Sequence, residues 1–321
     1  MALDPVPWAV GNGAEHSPEI ARLLGYAASG GLQGVIGSDA FKVSQLPSPG
    51  AAVRVSPGAA TILNAYGGGA HQSYLVRGAT NSDVSISPTG SASGRSDLVV
   101  IRVTDPQYGG AAPPDPANGP YVSFHVIQGV AAGTAVVPSG TGYPAVPLAR
   151  IDIPANTSAI TGAMIKDVRE LPLPMTKRDV FARPSSGPAS ANPVDPTTMV
   201  YARWPDAAFA TVTVPSWATR AIIRADVNNY IVKTGWVHGR VNIRLGSQPL
   251  STEIGSFDEQ WNNDSYRSSV AVVTDMAIPP AIRGTQQVLE IRAVKTSGTG
   301  IADADEFTTT WFDVQWIQGV E

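Results

Sequence analysis

The chain has no cysteine. Disulfides, thiolate metal ligands and a cysteine nucleophile are therefore excluded together. Charge is scarce too: Asp, Glu, Lys and Arg make up 15% of the 321 residues, and the formal net charge is −4. Such a balance offers no broad attraction to phosphate or anionic lipid, so nucleic acid is not expected as a partner. No apolar run approaches the roughly 20 residues a membrane-spanning helix needs, and membrane insertion is not expected. The opening MALDPVPWAVGNG lacks a basic start and a continuous apolar centre, so no secretory leader is expected. The four histidines, His16, His71, His125 and His238, form no H-x-x-H or H-E-x-x-H pattern. Neither a metal centre nor a cofactor is implied. G-x-S-x-G and P-loop patterns are missing as well, and Gly67 to Gly69 reads as a tight turn.

What is present is apolar residues, glycine and proline. Hydrophobic residues make up 43% of the chain, too many for a disordered polymer, and the length suffices for two domains with their own cores. The 32 glycines and 27 prolines fall between short apolar runs, the pattern of turns in a mainly β protein. Residues Asp4 to Gly13 read as an extended arm carrying Trp8, expected to dock on the body or on a neighbouring subunit. One helix follows, with Ser17 as N-cap, Pro18 and Glu19 in the first turn, and Gly30-Gly31 as its stop. Its Ile20, Leu23, Leu24 and Ala27 share a face expected to pack on a sheet.

From Phe41 onward the period is two: FKVSQL, AVRVS, ATILN, SYLVR and DVSIS alternate between breakers. The almost continuously apolar DLVVIRVT (97–104) predicts a central strand covered on both faces. Residues 1–170 thus read as one mainly β domain with a single packed helix. Residues 171–198 carry six prolines and read as a semi-rigid extended linker. Residues 199–321 alternate again, with Ala221, Ile223, Ala225 and Val227 on one face and Phe312, Val314 and Trp316 on another. That spacing predicts an antiparallel β-sandwich of the jelly-roll kind.

Two features of the last segment could carry chemistry. Asp258, Glu259 and Asp264 form one acidic cluster, and Asp303, Asp305 and Glu306 another. Neither follows the full calcium-loop pattern, and paired carboxylates could also cleave a glycosidic bond. The aromatics point elsewhere. Opposite the apolar face of GWVHGRVNIRL stand Trp236, His238, Arg240, Asn242 and Arg244; Trp311 opposes the apolar face of its own strand; Trp261 and Tyr266 flank Asn262 and Asn263. A ring beside Asn, Asp and Arg gives a sugar an apolar plate and hydrogen-bond partners. The residues expected to hold a glycan are Trp236, Arg240, Trp261, Asn262, Tyr266 and Trp311. The same residue types suit a subunit interface, and both readings stand.

Three segments resemble the minor tail and baseplate-type proteins of tailed phages of actinobacterial hosts: AEHSPEIARLLGYAASGGLQGVIGSDAFKVSQ, SGRSDLVVIRVTDP, and YPAVPLARIDIP followed by AITGAMIKDVR. They span most of residues 14–170. The resemblance implies a non-enzymatic virion protein at the tail tip, assembled in the host cytoplasm and anchored by its first domain. It implies homo-oligomerisation as a trimer, contact with other tail or baseplate proteins, and a second domain that adheres to a glycan of the host cell envelope. The alternatives are a purely structural baseplate component and a tail-borne glycan hydrolase.

Overall fold

The computed structural model describes residues 17–184, 200–233, 235–260 and 266–321. Strands account for 49% of the chain and helices for 7%, the mainly β architecture that the alternation predicts. The chain forms two compact units: residues 1–173 with Val320–Glu321, and residues 174–319. The arm carrying Trp8 lies outside the described residues.

In the first unit three sheets share one core. One has the order β1 (Gly34–Val35), β4 (Gly58–Leu63), β5 (Ser73–Gly78); a second has β2 (Val43–Gly50), β3 (Ala52–Val55), β6 (Ser82–Ser85). The third has β10 (Ile165–Asp167), β9 (Ala145–Ile153), β7 (Arg95–Val103), β8 (Val122–Val130). The inner position of β7 explains its apolar run. Val99, Ile101 and Val103 face the main core, while Leu98 and Val100 join a second cluster on the other side of the sheet.

Helix α1 (Pro18–Ala28) forms where its signals place it. The Ser17 hydroxyl accepts from the Ile20 N–H at 3.3 Å, and Gly30 and Gly31 follow with φ of 60° and 74°. Its docking face differs from the expected one. Leu23 and Leu24 are 44% and 43% exposed, and the buried helix residue is Gly25. A Cβ at Gly25 would sit 3.1 Å from the Ser73 carbonyl oxygen, so the helix approaches β5 by backbone rather than by its leucines.

The second unit is an antiparallel β-sandwich. Sheet one runs β11 (Thr176–Pro184), β20 (Thr309–Ile317), β14 (Arg220–Lys233), β17 (Tyr266–Ala277), with β19 (Ile301–Asp303) also on β14. Sheet two runs β12 (Ala202–Arg203), β18 (Gln286–Ser297), β15 (Trp236–Leu245), β16 (Gly255–Gln260), with β13 (Phe209–Thr213) also on β18. Between them lie Ala221, Ile223, Ala225, Val227, Val241, Ile243, Leu245, Phe312, Val314 and Trp316. These inward faces match the alternation of the sequence.

The 171–198 linker needs correction. Its Thr176–Pro184 portion is strand β11, in register with β20 from Thr176 opposite Ile317 to Pro184 opposite Thr309. Prolines bracket this strand without interrupting its ladder. An edge strand tolerates Pro184 at its last position, where a donor is dispensable. Residues 185–199 lie outside the described residues.

Candidate functional site

The residues expected to hold a glycan fall on three different surfaces. Trp236 and Arg240 stand on the outer face of sheet two, opposite Gln260 and Ser256 of β16. Tyr266 points between the sheets. It opposes the buried Val232 and donates its hydroxyl to Glu259 at 2.8 Å. Trp311 stands on the outer face of sheet one, between Ala182 and Asp226. Trp261 and Asn262 lie outside the described residues. The four that are described therefore do not form one site. Alternation shows which way Trp236, Arg240 and Trp311 point on their own strands, but not which strands share a sheet, and Tyr266, expected in a polar loop, instead opens β17.

Asp264 lies outside the described residues, and the described members of the acidic clusters do not converge. Asp258 accepts from the Trp236 indole on the outer face, whereas Glu259 turns inward and accepts from the Tyr230 hydroxyl at 3.0 Å. Asp303 pairs with Lys233 at 3.1 Å and Asp305 with Arg267 at 2.6 Å. Among the described residues no group of three or more His, Asp or Glu side chains is placed to hold a metal ion.

The Arg267 bonds hold the Asp305 carboxyl well below its ordinary value of 3.8, at about 2, against the opposing pull of burial. A carboxyl depressed in the folded state stabilises the fold above its unfolded pKa and loses that contribution as pH falls through the folded value. The second unit is therefore expected to lose stability between about pH 4 and about pH 2. Urea unfolding across that window checks this, and Asp305→Asn should flatten the slope.

The outer face of sheet two gathers side chains that the sequence left scattered. Across β12, β18 and β15 the register places Arg203 opposite Arg292 and Arg292 opposite Asn242. In the same way β13, β18 and β15 align Phe209, Glu290 and Arg244. Glu290 accepts from Arg203 Nε and from Arg292 Nη1, each at 2.8 Å. Burial pushes its carboxyl up, but the two arginine bonds outweigh that and hold it below the usual range. The Arg203 guanidinium lies 4.5 Å over the Phe209 ring, and Arg292 donates to the Tyr201 carbonyl at 2.7 Å. Burial raises the Tyr201 phenol, with the Arg240 charge opposing. A depression of about 600 Å³ opens here, lined by Arg203, Thr211, Arg244, Gln287, Glu290 and Arg292. Farther along β15, Trp236 is 43% exposed and its ring lies parallel to His238 within 4°.

Tyr201, Arg203, Phe209, Glu290 and Arg292 were not singled out in the sequence. The alternation of QQVLEIRAVK does put Glu290 and Arg292 on the outward face of their strand. Their meeting with Arg203 and Arg244 depends on strand neighbours that a linear pattern does not reveal.

Searches against protein-family models and curated proteins found no match. Among solved structures, the structure of infectious bursal disease virus strain Gx is similar at 13% identity, over 89% of this chain and 67% of that one, with a TM-score of 0.23. The mosquito-larvicidal Cry4Aa toxin of Bacillus thuringiensis is similar at 8% identity, over 84% and 51%, with a TM-score of 0.19. Carbohydrate-binding modules from the β-sandwich superfamily are similar at 12% identity, over 89% and 100%, with a TM-score of 0.13.

Proposed function

We propose that the chain is a non-enzymatic structural protein of a phage tail tip, anchored by its first unit, whose second unit adheres to a host-envelope glycan. The virion part of this reading rests on the three segments between residues 14 and 170 that resemble minor tail proteins. The adhesive part rests on one observation: the outer face of sheet two presents the rings of Trp236 and Phe209 to solvent, 43% and 39% exposed, among arginines fixed on paired strands. Exposed rings supply flat apolar plates, and guanidinium groups supply fixed donors, the combination that binds a sugar. Self-association as a trimer would repeat the face around the tip and turn weak single contacts into avidity.

The test is binding of the full chain to polysaccharide fractions of host envelope, with Trp236→Ala alongside. The variant is expected to lose about 1–3 kcal/mol of affinity, the size of ring stacking measured on other flat ligands. Absence of binding to every envelope fraction, or equal binding by the variant, would overturn the adhesive reading.

A second reading has support of its own. On the outer face of sheet one Val180, Trp311 and Val273 are 51%, 45% and 52% exposed. Exposed apolar side chains gathered on one sheet face suit a contact with a neighbouring tail subunit, as in a purely structural component.

A further inference from the structure

We infer that the glycan held by the outer face of sheet two is anionic, with carboxylate or phosphate groups repeated along its length. This rests on the glycan reading above and specifies the chemistry of that ligand.

The two outer faces of the sandwich differ in how they treat arginine. On sheet one Arg178, Arg220, Arg224 and Arg267 each have a carboxylate of their own: Asp313, Asp275, Asp226 and Asp305. On sheet two Arg203 and Arg292 share the single Glu290. Arg240 and Arg244 have no carboxylate within salt-bridge distance among the described residues. Asp258, the other acid of this face, is occupied by the Trp236 indole.

Folding alone does not call for this arrangement. Arg203 and Arg292 are direct cross-strand partners, and like charges in that position oppose each other. The chain as a whole is lightly charged and carries −4, so a cluster of four arginines is a local departure from its composition. Two of the arginines are held by their side chains and two by their place on a paired strand. The Glu290 bonds fix Arg203 and Arg292, the Phe209 ring lies against Arg203, and Arg240 and Arg244 stand four residues apart on one paired strand. That separation is about 13 Å along the strand. Two unneutralised arginines rooted at a fixed interval on one strand, beside a depression flanked by a ring, fit an extended polymer with regularly repeated anions. Guanidinium takes carboxylate or phosphate by paired hydrogen bonds, so both sources share one chemistry.

The experiment measures binding of the full chain to four probes at low and at high salt. They are polygalacturonate for carboxylate, a poly(glycerol phosphate) for phosphate, neutral dextran, and a single-stranded DNA oligonucleotide. Either or both anionic glycans should bind, weakening as salt rises, with dextran and DNA far weaker. The double variant Arg240→Glu/Arg244→Glu should lose on the order of a hundredfold in affinity, about tenfold for each arginine. Arg244→Gln alone should lose about tenfold, and Arg178→Gln on sheet one should bind as the parent does. Unchanged thermal unfolding would confirm that the variants fold. Dextran binding as tightly as the polyanions would overturn the anionic assignment and leave the glycan reading standing. DNA binding as tightly as the glycans would replace the assignment with a general polyanion surface. Unchanged binding by the double variant would also overturn it. No binding to any glycan would remove both.

Discussion

Trp204→Ala is expected to cost the second unit about 3–5 kcal/mol of stability. Trp204 is fully buried; its ring stands 5.3 Å from Tyr230 at 68° and 5.8 Å from Phe257 at 26°. Three large rings thus fill one end of the sandwich, and Gly239 makes their packing possible. A Cβ there would lie 2.2 Å from the Phe257 ring. Removing the indole leaves a cavity that neighbouring strands cannot close, because each is fixed by its own ladder. A typical domain has about 5–15 kcal/mol in total, so the loss is a large fraction. Trp204→Phe should cost far less. The Trp204 Nε1 is buried with no hydrogen-bond partner, so phenylalanine gives up volume but also removes an unsatisfied donor. Denaturant unfolding of the parent and both variants measures the order. Equal midpoints for Ala and parent, or Phe worse than Ala, would sink the argument.

Arg169→Ala is expected to destabilise the first unit by about 3 kcal/mol. Arg169 ends the I-K-D-V-R run, and its side chain is fully buried. The guanidinium donates to the Ala40 carbonyl at 2.6 Å, to the Glu321 main-chain oxygen at 2.6 Å and to Asp167 at 2.7 Å. Its loss strips the Ala40 carbonyl of this donor and removes one bond to the Glu321 main-chain oxygen. Asp167 remains partly exposed, which lets water recover some of the charge and keeps the figure at the low end for a broken buried pair. Arg169→Lys should recover little, since an ammonium cannot reach three acceptors in the planar fork that Arg supplies. Hydrogen exchange offers a local readout. The Glu321 N–H, bonded to the Ser38 carbonyl at 2.9 Å, should lose protection in both variants ahead of global unfolding. Retained protection there would assign Arg169 to the Asp167 pair alone.

The architecture was legible where one face of a strand meets a core and the other meets water. Ala221 to Val227 and Phe312 to Trp316 alternate as read, and both line the sandwich interior. The apolar run of β7 also showed its inner position. Three things could not be seen. The α1 leucines look like a docking stripe, but a single glycine permits a closer approach, and periodicity gives no weight to a missing side chain. Strand β11 was hidden by Pro172, Pro174 and Pro184, because proline density reports on loops without showing what lies between them. The sequence marks the site residues only by type, and in the fold Trp236, Tyr266 and Trp311 face three ways. Whether outward residues share a surface is decided by sheet order, here β12-β18-β15-β16 against β11-β20-β14-β17.

The place of Thr176–Pro184 in the sandwich of the second unit has a practical consequence. A fragment begun near residue 199 would strip β20 of a neighbour along its whole length and take away Asp179, which accepts from the Trp316 indole at 2.8 Å. The bared rim would offer its free amides and carbonyls to any other copy in solution, inviting aggregation. Excision of this half for study should therefore begin at Pro174, so that the first ribbon travels with the rest.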